Sequence, residues 1–148
     1  IERLPNRHMV VAALGTEKIK SIMGMIAAME TEIVVQGSQL PGDEAEGLLT
    51  KMQQEFKQGN LELAAEYELE YHSELVRMLD ITYLEQLFHK ALDGYVSYIV
   101  KMAQTNSPAR YHCLLRLSQL RGGGEPEPIR GCLQEYYEEL FKTLDRRE

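Results

Sequence analysis

Residues 66–75 read EYELEYHSEL, and how this stretch winds decides the fold. Placed at about 100° per residue, as in an α-helix, the residues around it sort into two arcs. Leu61, Ala64, Ala65, Leu69, Tyr71, Leu75, Val76, Met78 and Leu79 fall on one arc, and Glu62, Glu66, Glu70, Ser73, Glu74 and Arg77 on the other. That is a helix with one face in a core. Two residues break the pattern: Glu68 and His72 sit in the middle of the apolar arc, one turn apart. At i, i+4 their side chains project from one face and reach one point. An unpaired charge in a core is costly, so each group needs a partner. A buried Glu–His hydrogen bond is one answer. A metal site is the other, because imidazole nitrogen and carboxylate oxygen suit zinc, nickel, manganese or iron. Two ligands are too few, so any others come from other helices.

The rest of the chain also reads as helix from Thr16 onward. A first helix runs from Thr16, a plausible N-cap, to about Val35, and QGSQLPGD breaks it. Asp43, with Glu46 three residues on, caps a second that ends near Gly59-Asn60. Asn60 caps the third, which holds the opening stretch. Asp80 caps a fourth, whose stripe is Ile81, Leu84, Phe88, Leu92, Tyr95, Ile99 and Met102. Ser107-Pro108 opens a fifth helix to Leu120, and after RGGGEPEP Pro128 opens the last, to about Leu144. On that last helix Ile129, Leu133, Tyr136, Leu140 and Leu144 form the inward stripe, flanked by Tyr137. The expectation is an all-α antiparallel bundle of about six helices over residues 16–148. Residues 1–15 stand apart, with a turn at Pro5-Asn6 and a short β-prone run, Met9-Val10-Val11.

The chain of 148 residues suits one domain, and its net charge of −7 argues against holding nucleic acid by itself. No run of 18 apolar residues suggests a membrane span. No signal peptide is visible and Cys113 and Cys132 read as free thiols, so a cytoplasmic location is expected. The chain begins at Ile1 rather than Met, which leaves room for a longer product.

Other candidates for chemistry are few. His8 lies in the N-terminal segment. His89, four residues after Glu85 and four before Asp93, falls at the edge of a polar arc and reads as solvated or paired. His112 is not clearly inside an apolar arc and stays open. Tyr136 points inward and needs a hydroxyl partner. The Glu-x-x-x-His spacing at 68/72 and 85/89 is not the Glu-x-x-His of a di-iron bundle. The triple glycine 122–124 lacks a following Lys-Ser/Thr, so it reads as a flexible turn and not a phosphate loop. There is no nucleophile motif, and no enzyme is expected.

Four pieces in order across nearly all of the chain resemble the effector-binding (FCD) domain of FadR-type regulators in the GntR transcription-regulator family. RLPNRHMVVAALGTEKI, 3–19, resembles the junction from the wing of a winged helix-turn-helix into the first effector-domain helix. IMGMIAAMETEIVVQG, 22–37, resembles that helix, with Glu30 at its usual glutamate. GNLELAAEYELEYHSEL, 59–75, resembles the stretch around Asp-x-x-Phe-His, and RYHCLLRLSQLRGGG with the closing helix resembles the family's last two helices.

The resemblance implies a ligand-sensing, dimerising domain that controls DNA binding by an N-terminal winged helix not present in this chain. Many members hold a divalent metal with one Asp and three His. Carried over, the Asp position is Glu68, the first His is His72 and the second is His112, with zinc, nickel or manganese as the implied ion. The third His falls at about Tyr136. An arginine usual four residues before Glu30 is Ile26 here. The implied effector pocket takes Tyr71, Tyr136 and Tyr137, and the implied partners are a small-molecule effector and a second copy of the chain. The rival readings are a metal-dependent helical-bundle enzyme and a purely structural helical module.

Overall fold

The computed structural model describes residues 11, 13–40, 42–103, 108–123 and 125–146. The wing-like stretch of residues 1–10, residue 12 and Ser107 lie outside the described residues. The elements are α1 (Thr16–Gln36), α2 (Asp43–Lys57), α3 (Leu61–Arg77), α4 (Thr82–Ala91), a π-helical turn (Leu92–Val96), α5 (Ser97–Met102), α6 (Ala109–Leu120) and α7 (Pro126–Arg146). α4, the π turn and α5 run on as one rod, which gives a bundle of six helices, with no strand among the described residues.

Ion pairs at the helix ends show the directions. Arg77 at the end of α3 reaches Glu44 at the start of α2 at 3.0 Å, so the two are antiparallel. Lys20 pairs with Asp145 and Glu32 with Arg130, which sets α1 antiparallel to α7. These exposed pairs fix register and contribute little stability. The core comes from apolar stripes such as Ile19, Met23, Ile26 and Ile33 on α1 and Ile129, Leu133, Leu140 and Leu144 on α7.

Helix ends differ from the expected caps. Gly15, Gly42 and Ile81 occupy the N-cap positions expected for Thr16, Asp43 and Asp80, and α7 starts two residues before Pro128. Asn60 is an N-cap by position, but its amide donates to Glu55 at 2.7 Å rather than capping α3. α2 ends in a Schellman motif: Gly59, at φ 81, lets Asn60 N–H reach Glu55 O at 2.9 Å and Gly59 N–H reach Phe56 O at 3.1 Å. Asp80 is instead the left-handed residue between α3 and α4, at φ 55.

The π turn corrects the expected stripe of the fourth rod. A π turn carries one extra residue, so the buried face slips by one beyond it. Phe88 and Leu92 are buried as expected, but Val96, Val100 and Ala103 then take the inner positions, while Tyr95 is only half-buried and Met102 is exposed. Ile99 stays inside, and Ile81 is exposed at the other end. The glycine turn after α6 is also more than a spacer. Gly122 N–H donates to Ser38 O at 2.6 Å, and Arg121 donates to Gly37 O at 3.3 Å. A Cβ on Gly42 would run into the Arg121 guanidinium, so glycine is what lets the arginine seat there.

Candidate functional site: a buried charge cluster

Glu68 and His72 do point into the core of α3, and both are 0% exposed. They do not bond each other directly; the hydroxyl of Tyr136 on α7 stands between them. Tyr136 donates to Glu68 Oε2 at 2.5 Å, and His72 Nε2 lies 2.7 Å from the same hydroxyl. On its other side His72 Nδ1 lies 2.6 Å from Oε2 of Glu30 on α1. Glu68 is then closed off by Arg110 on α6, whose Nε and Nη2 reach its two oxygens at 2.9 and 3.0 Å. This two-pronged guanidinium–carboxylate geometry is the strong form of the pair. Arg110 Nη1 also donates to Ala103 O at 3.1 Å, at the end of α5. The chain Glu30–His72–Tyr136–Glu68–Arg110 thus ties α1, α3, α6 and α7 together at the centre of the bundle.

The hydrogen bonds assign the protons. Tyr136 has one proton and gives it to Glu68, whose two oxygens also accept from Arg110. His72 Nε2 must therefore donate to the Tyr136 oxygen, and Nδ1 faces Glu30 Oε2. The charge of Glu30 favours a proton on His72 Nδ1 as well, the imidazolium form. Burial alone would lower its pKa, but the charge and hydrogen bond of Glu30, and then Glu68, outweigh burial and raise it. Two carboxylates, one imidazolium and one guanidinium sum to zero. Burial, and then the charge of Glu68, push the Tyr136 hydroxyl well above its ordinary value, so it stays a donor.

Two buried polar atoms here have no hydrogen-bond partner: Glu30 Oε1 and the Tyr137 hydroxyl. They are neighbours. Burial first, and then Glu30, raise the Tyr137 pKa well above its usual value, although the pair falls short of hydrogen-bond geometry. The Tyr137 ring meets that of Tyr136 edge-on, at 5.3 Å between centroids. Tyr137 also floors a groove of about 500 Å³ between α1 and α7, with Ala27, Ala28, Leu133 and Phe141. The Glu32–Arg130 pair stands at its rim.

The sequence-derived residues meet different fates. Glu68, His72 and Tyr136 come together, and Glu30 joins them from the first helix. His112 does not: it is exposed, with its ring against Tyr111 at 5.8 Å between centroids. Arg110, two residues earlier, takes the position facing Glu68. The signal for it was present, because Arg110, Leu114 and Leu117 are spaced i, i+4, i+7, and both leucines are 0% exposed. Tyr71 is 0% exposed and bonds Ser118 at 2.9 Å; burial pushes its hydroxyl up to about 12. Tyr71, Tyr136 and Tyr137 are core residues, and of the three only Tyr137 borders the groove. His89 is exposed. No group of three or more His, Cys, Asp or Glu side chains that could hold a metal occurs among the described residues. No helix there is long and apolar enough to cross a membrane.

No protein-family model matches this sequence, and no curated protein matches it. Among solved structures the fold is similar to that of Lar from Listeria monocytogenes, a protein described as controlling expression of the agr system and mediating virulence. The similarity covers 93% of this chain and 67% of that one, at a TM-score of 0.77 and 12% sequence identity. At that identity the likeness shows the fold alone, an all-α helical bundle.

Proposed function

We propose that this chain is the effector-sensing and dimerising domain of a bacterial transcription regulator of the GntR/FadR type, working in the cytoplasm. A winged helix-turn-helix upstream of it in a longer product would read the DNA. The observation that carries the proposal is the buried cluster itself. Four charged side chains in a bundle core cost desolvation that an apolar core would avoid, and such groups concentrate at functional sites. They also join four helices, so a shift at any one is felt by the others. The sequence resemblance and the fold shared with a regulator support the same reading.

The mechanism is linkage without catalysis. A small molecule in the α1–α7 groove would bear on Tyr137, whose hydroxyl lies beside Glu30, and through Glu30 on His72 and α3. An effector that binds one arrangement of these helices better than another shifts the dimer toward it. The spacing of two recognition helices on DNA changes with it.

The test is DNA binding by the longer gene product to duplexes from its own upstream region, measured by fluorescence anisotropy at several salt concentrations. Specific, salt-dependent binding is expected. A longer product without a basic helix-turn-helix and without DNA affinity sinks the regulator reading, and sedimentation showing only monomer removes the dimer. A purely structural role is the second reading, favoured by how completely the cluster satisfies itself; Glu30 Oε1 and the Tyr137 hydroxyl count against it.

A further inference from the structure

We infer that the guanidinium of Arg110 takes the place of a metal ion at the centre of this bundle, and that the cluster works without one. A metal needs lone pairs, and those of Glu68 and His72 face partners; Glu30 Oε1 is left without one, but a single carboxylate oxygen does not make a metal site. Both oxygens of Glu68 accept from Arg110, and Oε2 accepts from Tyr136 as well. Both nitrogens of His72 face partners, Glu30 on one side and Tyr136 on the other. With an oxygen already within 2.7 Å of each nitrogen, no open approach to the ring is left for an ion. A divalent ion beside Glu68 would also sit within a few ångströms of a fixed guanidinium, where like charges repel. The second imidazole that the family resemblance assigns to a metal, His112, is exposed on another face of α6.

The substitution is coherent across elements. Arg110 is 14% exposed at its side chain, against 0% for Glu68, and it adds the Ala103 carbonyl to its partners. It therefore does what a structural ion would do: it gathers a carboxylate from α3 and a backbone oxygen from the end of α5, and balances the charge. Being covalently part of α6, it cannot be lost to a chelator or exchanged. An effector at this cluster is then read by hydrogen bonds and shape rather than by chelation. This inference concerns the same cluster as the proposed function, but it stands or falls independently of whether the domain senses an effector or meets DNA.

The experiment incubates the purified chain with excess zinc, nickel or manganese, removes free ion by buffer exchange, and counts bound metal beside His72→Gln. The wild type is expected to hold no more metal than the variant. Stoichiometric metal in the wild type that is lost in His72→Gln overturns the inference. Because His72→Gln risks misfolding, a second measurement uses the wild type alone. The side-chain N–H signals of His72 are followed by NMR as paramagnetic nickel or manganese is added. Their survival while the exposed His89 and His112 broaden is the expected result. Selective loss of the His72 signals overturns the inference.

Discussion

Replacing Arg110 by methionine tests how the cluster is held. Methionine keeps an unbranched apolar stem and removes only the guanidinium. Glu68, 0% exposed, would then keep only the Tyr136 hydroxyl. Breaking a buried ion pair by removing one partner typically costs about 3–5 kcal/mol, because the remaining charge stays buried and uncompensated. The Arg110 side chain is 14% exposed, so water already screens one end of the pair, and a loss of about 3 kcal/mol is expected. For a domain of this size that is on the order of 10 °C in melting temperature. The assay is urea unfolding of wild type, Arg110→Met, Glu68→Gln and the double variant. Glutamine at 68 still accepts from Tyr136 and carries no charge, so the double variant should recover part of what Arg110→Met loses. Arg110→Met within about 0.5 kcal/mol of wild type, or a double variant whose loss is the plain sum of the two singles, would refute the argument.

Three further outcomes follow from the same geometry. Tyr136→Phe removes the hydroxyl shared by His72 and Glu68 and should cost about 1–3 kcal/mol, whereas Tyr137→Phe removes a hydroxyl without a partner and should be neutral or slightly stabilising; equal urea midpoints for the two variants would contradict this. His112→Ala changes an exposed side chain and should stay within about 0.5 kcal/mol of wild type; a larger loss would mean that His112 reaches the core. His72, facing Glu30, Glu68, Arg110, Tyr136 and Tyr137, has a pKa raised above its unfolded value, so the native state holds the extra proton. Its contribution is full below about pH 6.5 and is lost as pH rises through the folded value. The urea midpoint should therefore fall between neutral and alkaline pH in wild type and flatten in His72→Gln; a wild-type midpoint that rises over that range would reverse the sign.

The helical architecture was legible because it rests on periodicity, and periodicity survives without contacts. The inward stripe of α7 and the inward pair on α3 follow from spacing alone. The stripe of the fourth rod failed halfway, since a π turn adds a residue that a fixed angular step does not foresee. The cluster was half legible. Glu68, His72 and Tyr136 declared themselves as polar groups on apolar faces. Glu30 came only from the family resemblance, although its place in the run Ile19, Met23, Ile26, Glu30, Ile33 marks the same anomaly. Arg110 carries the same kind of signal, but a cation in the first turn of a helix reads as surface until the inward face of that helix is known. An arginine one turn before two buried leucines has to find an acid. The distances that decide between a metal and a guanidinium were beyond reach, because spacing shows which side chains converge and not which atoms bond.

The central claim is that His72 is an imidazolium held between Glu30 and Tyr136 in a cluster whose second cation is Arg110. The most direct measurement is a long-range nitrogen–proton correlation spectrum of the histidine rings at neutral pH. It is predicted to show both ring nitrogens of His72 protonated, with slowly exchanging N–H signals and none of the shift that marks a metal-bound nitrogen. A His72 with one bare or metal-bound nitrogen would contradict the account.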